Sequence, residues 1–484
     1  MILRLTKRLT LSLCMFAALM ARAQSDTAGA DNDGAADPPH STGRPPQLTM
    51  FDHPANHPWL LSGQANIIFQ AHPGFHSPYS GPNSLLARGE YKTSLVGTLF
   101  TGLQLHRNLR YNTDAIFDME SAGGRGISEA LGLAGFTNLD VVRNPNLGST
   151  PYVARAQIHQ TLGLTSKMVD AQRTPFSLPI TVPARRLEFR VGKMSLPDVF
   201  DQNNPGSDSH LQFLNWTVDN NGAYDYAADT RGYTYAGIAE YDDGPLTVRY
   251  GFALMPTVAN GIDLQSSLRK ARGDNYEVDY ARTPLAKFLD PAKQGAVRFL
   301  AYVNRANMGV YRVQNAEALE ERENGDPDAK PVITDHPFGT TVKYGFGLNF
   351  EQELPKDLRV FGRFGWNEGQ HESYAYTEVD QTFELGSDLA GNRWSRPNDK
   401  VGLVFVTNAI KRDHQAYLGL GGLGFLLGDG KLNYAREDIV ETYYTAHNWR
   451  GLFSSFDFQY VAHPGYNQDR GPVAVFSVRT HVDF

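Results

Sequence analysis

Apolar and polar residues alternate with a period of two along this chain, and the alternation runs to its last side chain. In the final segment Ala474, Phe476, Val478, Thr480, Val482 and Phe484 fall on one face, and Val475, Ser477, Arg479, His481 and Asp483 on the other. Residues two apart on a β-strand share a face, so this is a strand with one apolar and one polar surface. The pattern recurs: Tyr344, Phe346, Leu348 and Phe350 oppose Lys343, Asn349 and Glu351, and Tyr276, Val278 and Tyr280 oppose Glu277 and Asp279. No apolar run approaches the ~20 residues that a helix needs to cross a bilayer. Strands that enter lipid need only one apolar face, so a hydrophobic content of 41% is compatible with a membrane barrel.

The first residues predict a secretory signal peptide over 1–23. Arg4, Lys7 and Arg8 precede the apolar stretch Leu9–Met20, and Ala21-Arg22-Ala23 is a small-x-small cleavage site. The only cysteine, Cys14, lies inside it, so the exported chain is expected to fold without disulfides. Without residues 1–23, whose four charged side chains are all basic, the formal net charge moves from −7 to −11. A negative chain of this kind argues against a nucleic-acid partner. Residues 24–55 are expected to form a flexible periplasmic leader, rich in Ala, Asp, Gly and Pro up to Met50, and 56–484 an outer-membrane barrel.

Period-two segments place strands near 60–70, 95–105, 109–119, 152–164, 186–194, 231–241, 246–256, 274–284, 295–306, 342–353, 357–368, 375–388, 399–409, 433–447, 452–462 and 472–484. These sixteen predict an all-β, transmembrane antiparallel β-barrel with mostly short periplasmic turns and long extracellular loops. The short connections include His106 to Asn108, the turn at Asp242, Pro355-Lys356, and Asn448 to Gly451. The long ones are 120–151, 195–230, 307–341 and 410–432. Connections 165–185 and 285–294 are longer than the pattern wants, and 369–374 is shorter. Gln415 to Leu427 alternates weakly and is assigned to a loop, because a seventeenth strand breaks the parity that keeps both termini on one side. The terminal Phe484 resembles the address that such barrels show to their assembly machinery.

The polar faces then line a lumen. They carry Arg186, Glu188, Arg190, Arg249, Arg298, Arg359, Arg363 and Arg479, with Asp114, Asp118, Glu277, Asp279, Glu351 and Asp483. Guanidiniums and carboxylates can each bind two neighbouring sugar hydroxyls, and they can equally pair with one another and stiffen the wall. The loop from Ser207 to Tyr235 is rich in aromatics and in Asn and Asp. Trp216, Asp219 and Asn220 within it are expected to fold into the channel and narrow it; packing over a neighbouring barrel is the other reading. The stretch Asp219-Asn220-Asn221-Gly222 lacks the twelfth-position Glu of a calcium loop. No G-x-S-x-G nucleophile motif and no Cys/His metal cluster is present, so neither catalysis, a metal nor a cofactor is expected.

Long motifs resemble the carbohydrate-selective porin family (OprB-like). They are RRLEFRVGKMSLPDVFDQN from Arg185, LQFLNWTVDNNGAYDYAADTRGYTYAG from Leu211, FGWNEGQHESYAYTEVD from Phe364, HQAYLGLGGLGFLLGDGKLNYAREDIVETYY from His414, and the ending from Phe458. The resemblance implies a sixteen-stranded barrel for passive uptake of mono- or oligosaccharides across the outer membrane, as a monomer or homotrimer. It also implies basic and aromatic residues along the pore. Arg190, Glu188, Arg359, Arg363, Trp216, Asp219 and Asn220 are the candidate sugar-contacting set. A barrel for polysaccharide export and a general diffusion porin are the alternatives; mixed lumen charge and a short leader argue against export.

Overall fold

The computed structural model describes residues 48–484 apart from 55, 56, 109, 143–146, 291, 292 and 338. The expected signal peptide and most of the leader lie outside the described residues. Val-, Ile-, Phe- and Tyr-rich alternating segments form extended strands, because side chains branched or flat at Cβ pack well on a pleated surface. In chain order these are β1 (Trp59–His72), β2 (Glu90–Arg107), β3 (Tyr111–Gly124), β4 (Tyr152–Gly163), β5 (Met168–Asp170), β6 (Thr181–Pro183), β7 (Arg185–Met194), β8 (Thr234–Asp243) and β9 (Leu246–Ala253). They continue as β10 (Arg272–Tyr280), β11 (Gly295–Ala306), β12 (Thr341–Glu353), β13 (Leu358–Asn367), β14 (Gln381–Ala390), β15 (Lys400–Ala409), β16 (Glu437–Trp449), β17 (Leu452–Ala462) and β18 (Val473–Asp483).

All but β5 and β6 form one closed antiparallel barrel, in which β18 pairs with β1. The register there runs from Gln64 opposite Asp483 to Ala71 opposite Phe476. Each expected strand corresponds to one barrel strand, with boundaries moved by a few residues. The largest shifts are at β14, which starts at Gln381, and at β2 and β3, which run longer. β5 and β6 form a separate hairpin inside the unexpectedly long connection between β4 and β7. Closure satisfies every strand edge, which is the condition for backbone to cross hydrocarbon without unpaired N–H and C=O groups. No described helix is long and apolar enough to cross a membrane.

The two faces separate as the alternation requires. Phe476 and Val478 are 43% and 51% exposed on the outer face, whereas Val475, Ser477 and Arg479 point inward and are buried. The same split holds in β12, where Tyr344, Phe346, Leu348 and Phe350 are exposed and Lys343 and Asn349 are buried. Loops fill much of the barrel interior. Phe136, Phe213, Trp216, Tyr224, Tyr376 and Tyr466 form part of a buried cluster against the inner wall. The described parts of loops 125–151, 195–233, 368–380 and 410–436 enter the barrel from the end opposite the start of β1 and the end of β18. We call that the loop end and the other the turn end. Two of the long loops carry helices, Tyr311–Glu323 and Arg412–Gly419, that pack on one another.

Candidate functional site

The loop 195–233 lies inside the barrel, and two inward arginines hold it there. Arg363, on β13, donates through Nη2 to the carbonyls of Asp201 (3.1 Å) and Asp219 (3.2 Å) and to Ser207 Oγ (2.7 Å). Its Nη1 donates to Glu384 (2.9 Å) and to the Val218 carbonyl, and its Nε lies 3.0 Å from Asp201 Oδ2. Arg479, on β18, donates to the carbonyls of Ser209 (2.6 Å) and Gln212 (2.9 Å). Glu441 on β16 accepts from the backbone N–H groups of Leu214 and Asn215. A planar fork of donors suits carbonyl clusters, and a carboxylate suits N–H groups, so the wall offers each part of the loop its complement.

Within the loop, Asn215 caps a short helix, Trp216–Asp219, by accepting from the Thr217 N–H. The cap fixes Trp216. Its indole N–H donates to the Asn138 carbonyl at 2.8 Å, and its ring stacks on Tyr376 at 5.6 Å with 6° between the planes. Tyr226 packs on Tyr376 at 4.8 Å. Asp219 accepts from the Asn220 side chain at 2.6 Å. Burial pushes the Asp219 carboxyl up to about 7, against the pull of Arg363.

These rings border a cavity of about 930 Å³ that follows one side of the lumen. Its lining includes Leu60, Ser62, Phe100 and Asp483 from the turn end, and Glu120, Tyr152, Asp229 and Tyr233 from the loop end. Trp216, Asp219, Asn220, Tyr226 and Tyr376 line it between those ends, opposite a wall made by β1 to β4. The connection between β4 and β7 reaches up into it: Phe176 packs edge-on against Phe100 and under the Arg155 guanidinium, 4.4 Å away.

The sequence-derived set divides at this point. Trp216, Asp219 and Asn220 are brought together on the cavity, as expected of a loop that narrows a channel. Arg363 is 2% exposed and lies under the loop, so it does not present its donors to the cavity; its carbonyl partners consume them. Arg359 shares the inner face of β13 but is paired with Asp388, with Nε donating at 2.8 Å, outside the cavity lining. Glu188 and Arg190 also lie outside it. Glu188 accepts from Arg186 (2.5 Å), Arg190 (3.0 Å) and His159 (2.7 Å). Glu188, Glu240 and Asp242 approach within 4.8 Å of one another, and Arg186, Arg190 and Arg249 pair with them, which makes a lattice of alternating charge on the wall. Asn220 is 4% exposed because its loop turns inward.

Sequence reasoning passed over the surface that receives the loop. Gly345, Gly347 and Gly365 occupy inward positions of β12 and β13. A Cβ on Gly365 would lie 2.0 Å from Asn221 Oδ1, and one on Gly347 2.6 Å from Asn221 Nδ2. The runs Gly345-Phe-Gly-Leu and Gly362-Arg-Phe-Gly carried the signal: glycine where a lumen-facing side chain belongs marks a close backbone approach.

The family model described as carbohydrate-selective porin, OprB family, matches residues 101–484. Among solved structures, OprB of Pseudomonas putida at high pH is 15% identical with a TM-score of 0.62, covering 88% of this chain and 94% of that one. The low-pH structure of the same protein is 12% identical with a TM-score of 0.45, covering 88% and 92%. The outer membrane channel DcaP of Acinetobacter baumannii is 9% identical with a TM-score of 0.46, covering 90% and 100%. No curated protein matches.

Proposed function

The chain belongs to the carbohydrate-selective porin family, OprB, and on that premise we propose that sugars diffuse through it along the cavity between the inner loop and the β1–β4 wall. The barrel resides in the outer membrane. Trp216 stacked on Tyr376, with Asp219 and Asn220 beside them, is the observation that carries the path. An aromatic edge or face packs on sugar C–H groups, while amide and carboxylate oxygens accept from hydroxyls. Such contacts must stay weak and repeated, because a channel that holds its cargo tightly does not conduct it. Residues 1–23 serve export as a signal peptide, and the turn end faces the periplasm. The passage lies within one chain, so each copy conducts by itself whether the barrel is single or one of three.

Polymer export favours a wide lumen of one charge sign. Here loops occupy the lumen and the wall carries both signs. Liposome swelling with sugars and with uncharged polyols of matching size tests the reading. Sugars are expected to enter faster than size-matched polyols, and Trp216→Ala to lower sugar entry more than salt conductance. Entry ordered by size alone, unchanged by Trp216→Ala, describes a general diffusion porin instead.

A further inference from the structure

The charges along the passage do not balance. Among the described residues, seven carboxylates line the cavity against three guanidiniums. What holds those carboxylates matters more than their number. Glu120 accepts from the hydroxyls of Tyr233 (2.9 Å), Thr98 (3.1 Å) and Tyr152. Asp140 accepts from the Asn66 amide at 2.6 Å and lies 3.7 Å from His210. Asp229 accepts from the backbone N–H groups of Arg231 (2.9 Å) and Tyr233 (3.1 Å). Neutral donors fix the direction of a carboxylate and leave its charge in place.

The positive side is committed differently. Arg155 gives two parallel bonds to Asp198, at 2.6 and 2.7 Å, and so cancels one of the seven. Arg231 lies over the Tyr152 ring at 3.7 Å, beside Asp229. Asp208 faces Lys400 and Arg479 from across the loop. Asp219 is drawn to Arg363 and Asp483 lies 3.0 Å from His481. Glu120 and Asp140 remain, on the wall and on the loop after β3, each at the passage and with no guanidinium or ammonium of the described residues bonded to it. The arginine-rich part of the wall, from β7 to β11, lies outside the cavity lining and is neutralised by its own carboxylates.

We propose that this passage sorts its cargo by charge, taking neutral and ammonium-bearing sugars ahead of sugars that carry a carboxylate. The inference rests on the sugar-porin reading above and adds the substrate class. A low-dielectric wall with fixed negative charge raises the local concentration of cations and lowers that of anions in the same space. Aromatic rings in the same passage strengthen the preference, since their faces attract ammonium groups.

The test uses the full-length purified protein in planar bilayers near neutral pH. A salt gradient gives the reversal potential, and glucose, glucosamine and glucuronate are titrated as blockers. A cation-selective potential is expected, with glucosamine blocking at about five-fold lower and glucuronate at about five-fold higher concentration than glucose, the factor one unit charge at contact distance supplies in water. Glu120→Gln should narrow these ratios and move the potential toward zero, and Asp140→Asn should do the same independently. Heat-modifiable migration on gels verifies that each variant is folded. An anion-selective potential, or glucuronate blocking as strongly as glucosamine while glucose still blocks, overturns the charge sorting and leaves the sugar reading standing. Absence of block by all three sugars counts against the sugar reading, and the reversal potential still decides the charge of the passage.

Discussion

Arg363 and Arg479 spend their donors on backbone carbonyls of the inner loop, and this sets what removing them does. Arg363→Ala leaves Asp201 and Glu384 buried without their cation, a loss of about 3–5 kcal/mol for a buried pair broken on one side. Arg479→Ala frees the Ser209 and Gln212 carbonyls while Arg363 still holds the other end of the loop. Both variants are expected to raise single-channel conductance in salt and to weaken block by sugar, because the loop relaxes away from its fixed position. Arg363→Lys should not restore the parent behaviour, since a point ammonium cannot reproduce a planar fork that bonds two carboxylates and several carbonyls. Unchanged conductance in Arg479→Ala would show that the loop is held elsewhere. The sequence placed these arginines on the inner face correctly, from alternation alone. It assigned Arg363 to sugar because spacing along a strand says where a side chain points and nothing about which loop meets it. That Trp216, Asp219 and Asn220 stand on a loop folded into the barrel was legible because aromatic and Asn/Asp-rich composition is unsuited to an exterior loop.

At the scale of elements, all sixteen barrel strands were legible, since each has one face in apolar surroundings and one facing polar groups. The hairpin of β5 and β6 and the helices Tyr311–Glu323 and Arg412–Gly419 were not. They are short, and partners distant in sequence stabilise them more than their own periodicity does. His414 shows such a partner set: its ring stacks on Tyr311 at 4.2 Å, Nδ1 lies 3.3 Å from Asp380, and Nε2 lies 3.7 Å from Glu378. Burial pulls the imidazole down, but the two carboxylates outweigh it and hold its pKa above the ordinary value. Asp380 moves the opposite way: burial raises it, but His414 and Lys343 hold it low. Raised in the folded state, His414 contributes stability that is complete below its unfolded pKa of about 6.5. That stability is lost as pH rises through the folded value. Hydrogen exchange in both helices should therefore accelerate as the pH is raised through that range, beyond the intrinsic base-catalysed increase. His414→Phe should retain the stack on Tyr311 and abolish the excess. Equal excess in parent and variant would remove His414 from this role.

For the whole molecule, the loop end must face outward if the turn end, where β1 begins and β18 ends, faces the periplasm. Asp326, exposed beyond the helix Tyr311–Glu323, should react in intact cells when replaced by cysteine. A cysteine at Asn220, which lines the passage, should react with reagents small enough to enter it and stay protected from larger ones. Reaction at position 326 only after permeabilisation reverses the orientation. Closure is the other property that belongs to the whole. The Phe484 N–H donates to the Gly63 carbonyl at 2.8 Å, and its ring lies over Gly63, 3.6 Å from where a Cβ would stand. The Phe484 carbonyl also meets His53 at 2.7 Å, so the last residue joins β18, β1 and the segment before β1. Deleting Phe484 removes the ring and these bonds together, and less folded barrel is expected in the outer membrane. The outer face of β18 then gives a graded check. Val478 stands at the middle of that strand, between Val473 and Asp483, and Phe476 stands nearer the loop end. A cation on the lipid face costs about 2–4 kcal/mol at the bilayer midplane and falls toward zero at the interfaces. Val478→Arg should therefore destabilise the barrel by close to that full amount in urea titrations from lipid vesicles, and Phe476→Arg by less. Equal costs at the two positions would mean that β18 does not cross the bilayer in this register. A normal yield of the chain lacking Phe484 would mean that closure between β1 and β18 needs only the ladder from Gln64 to Ala71.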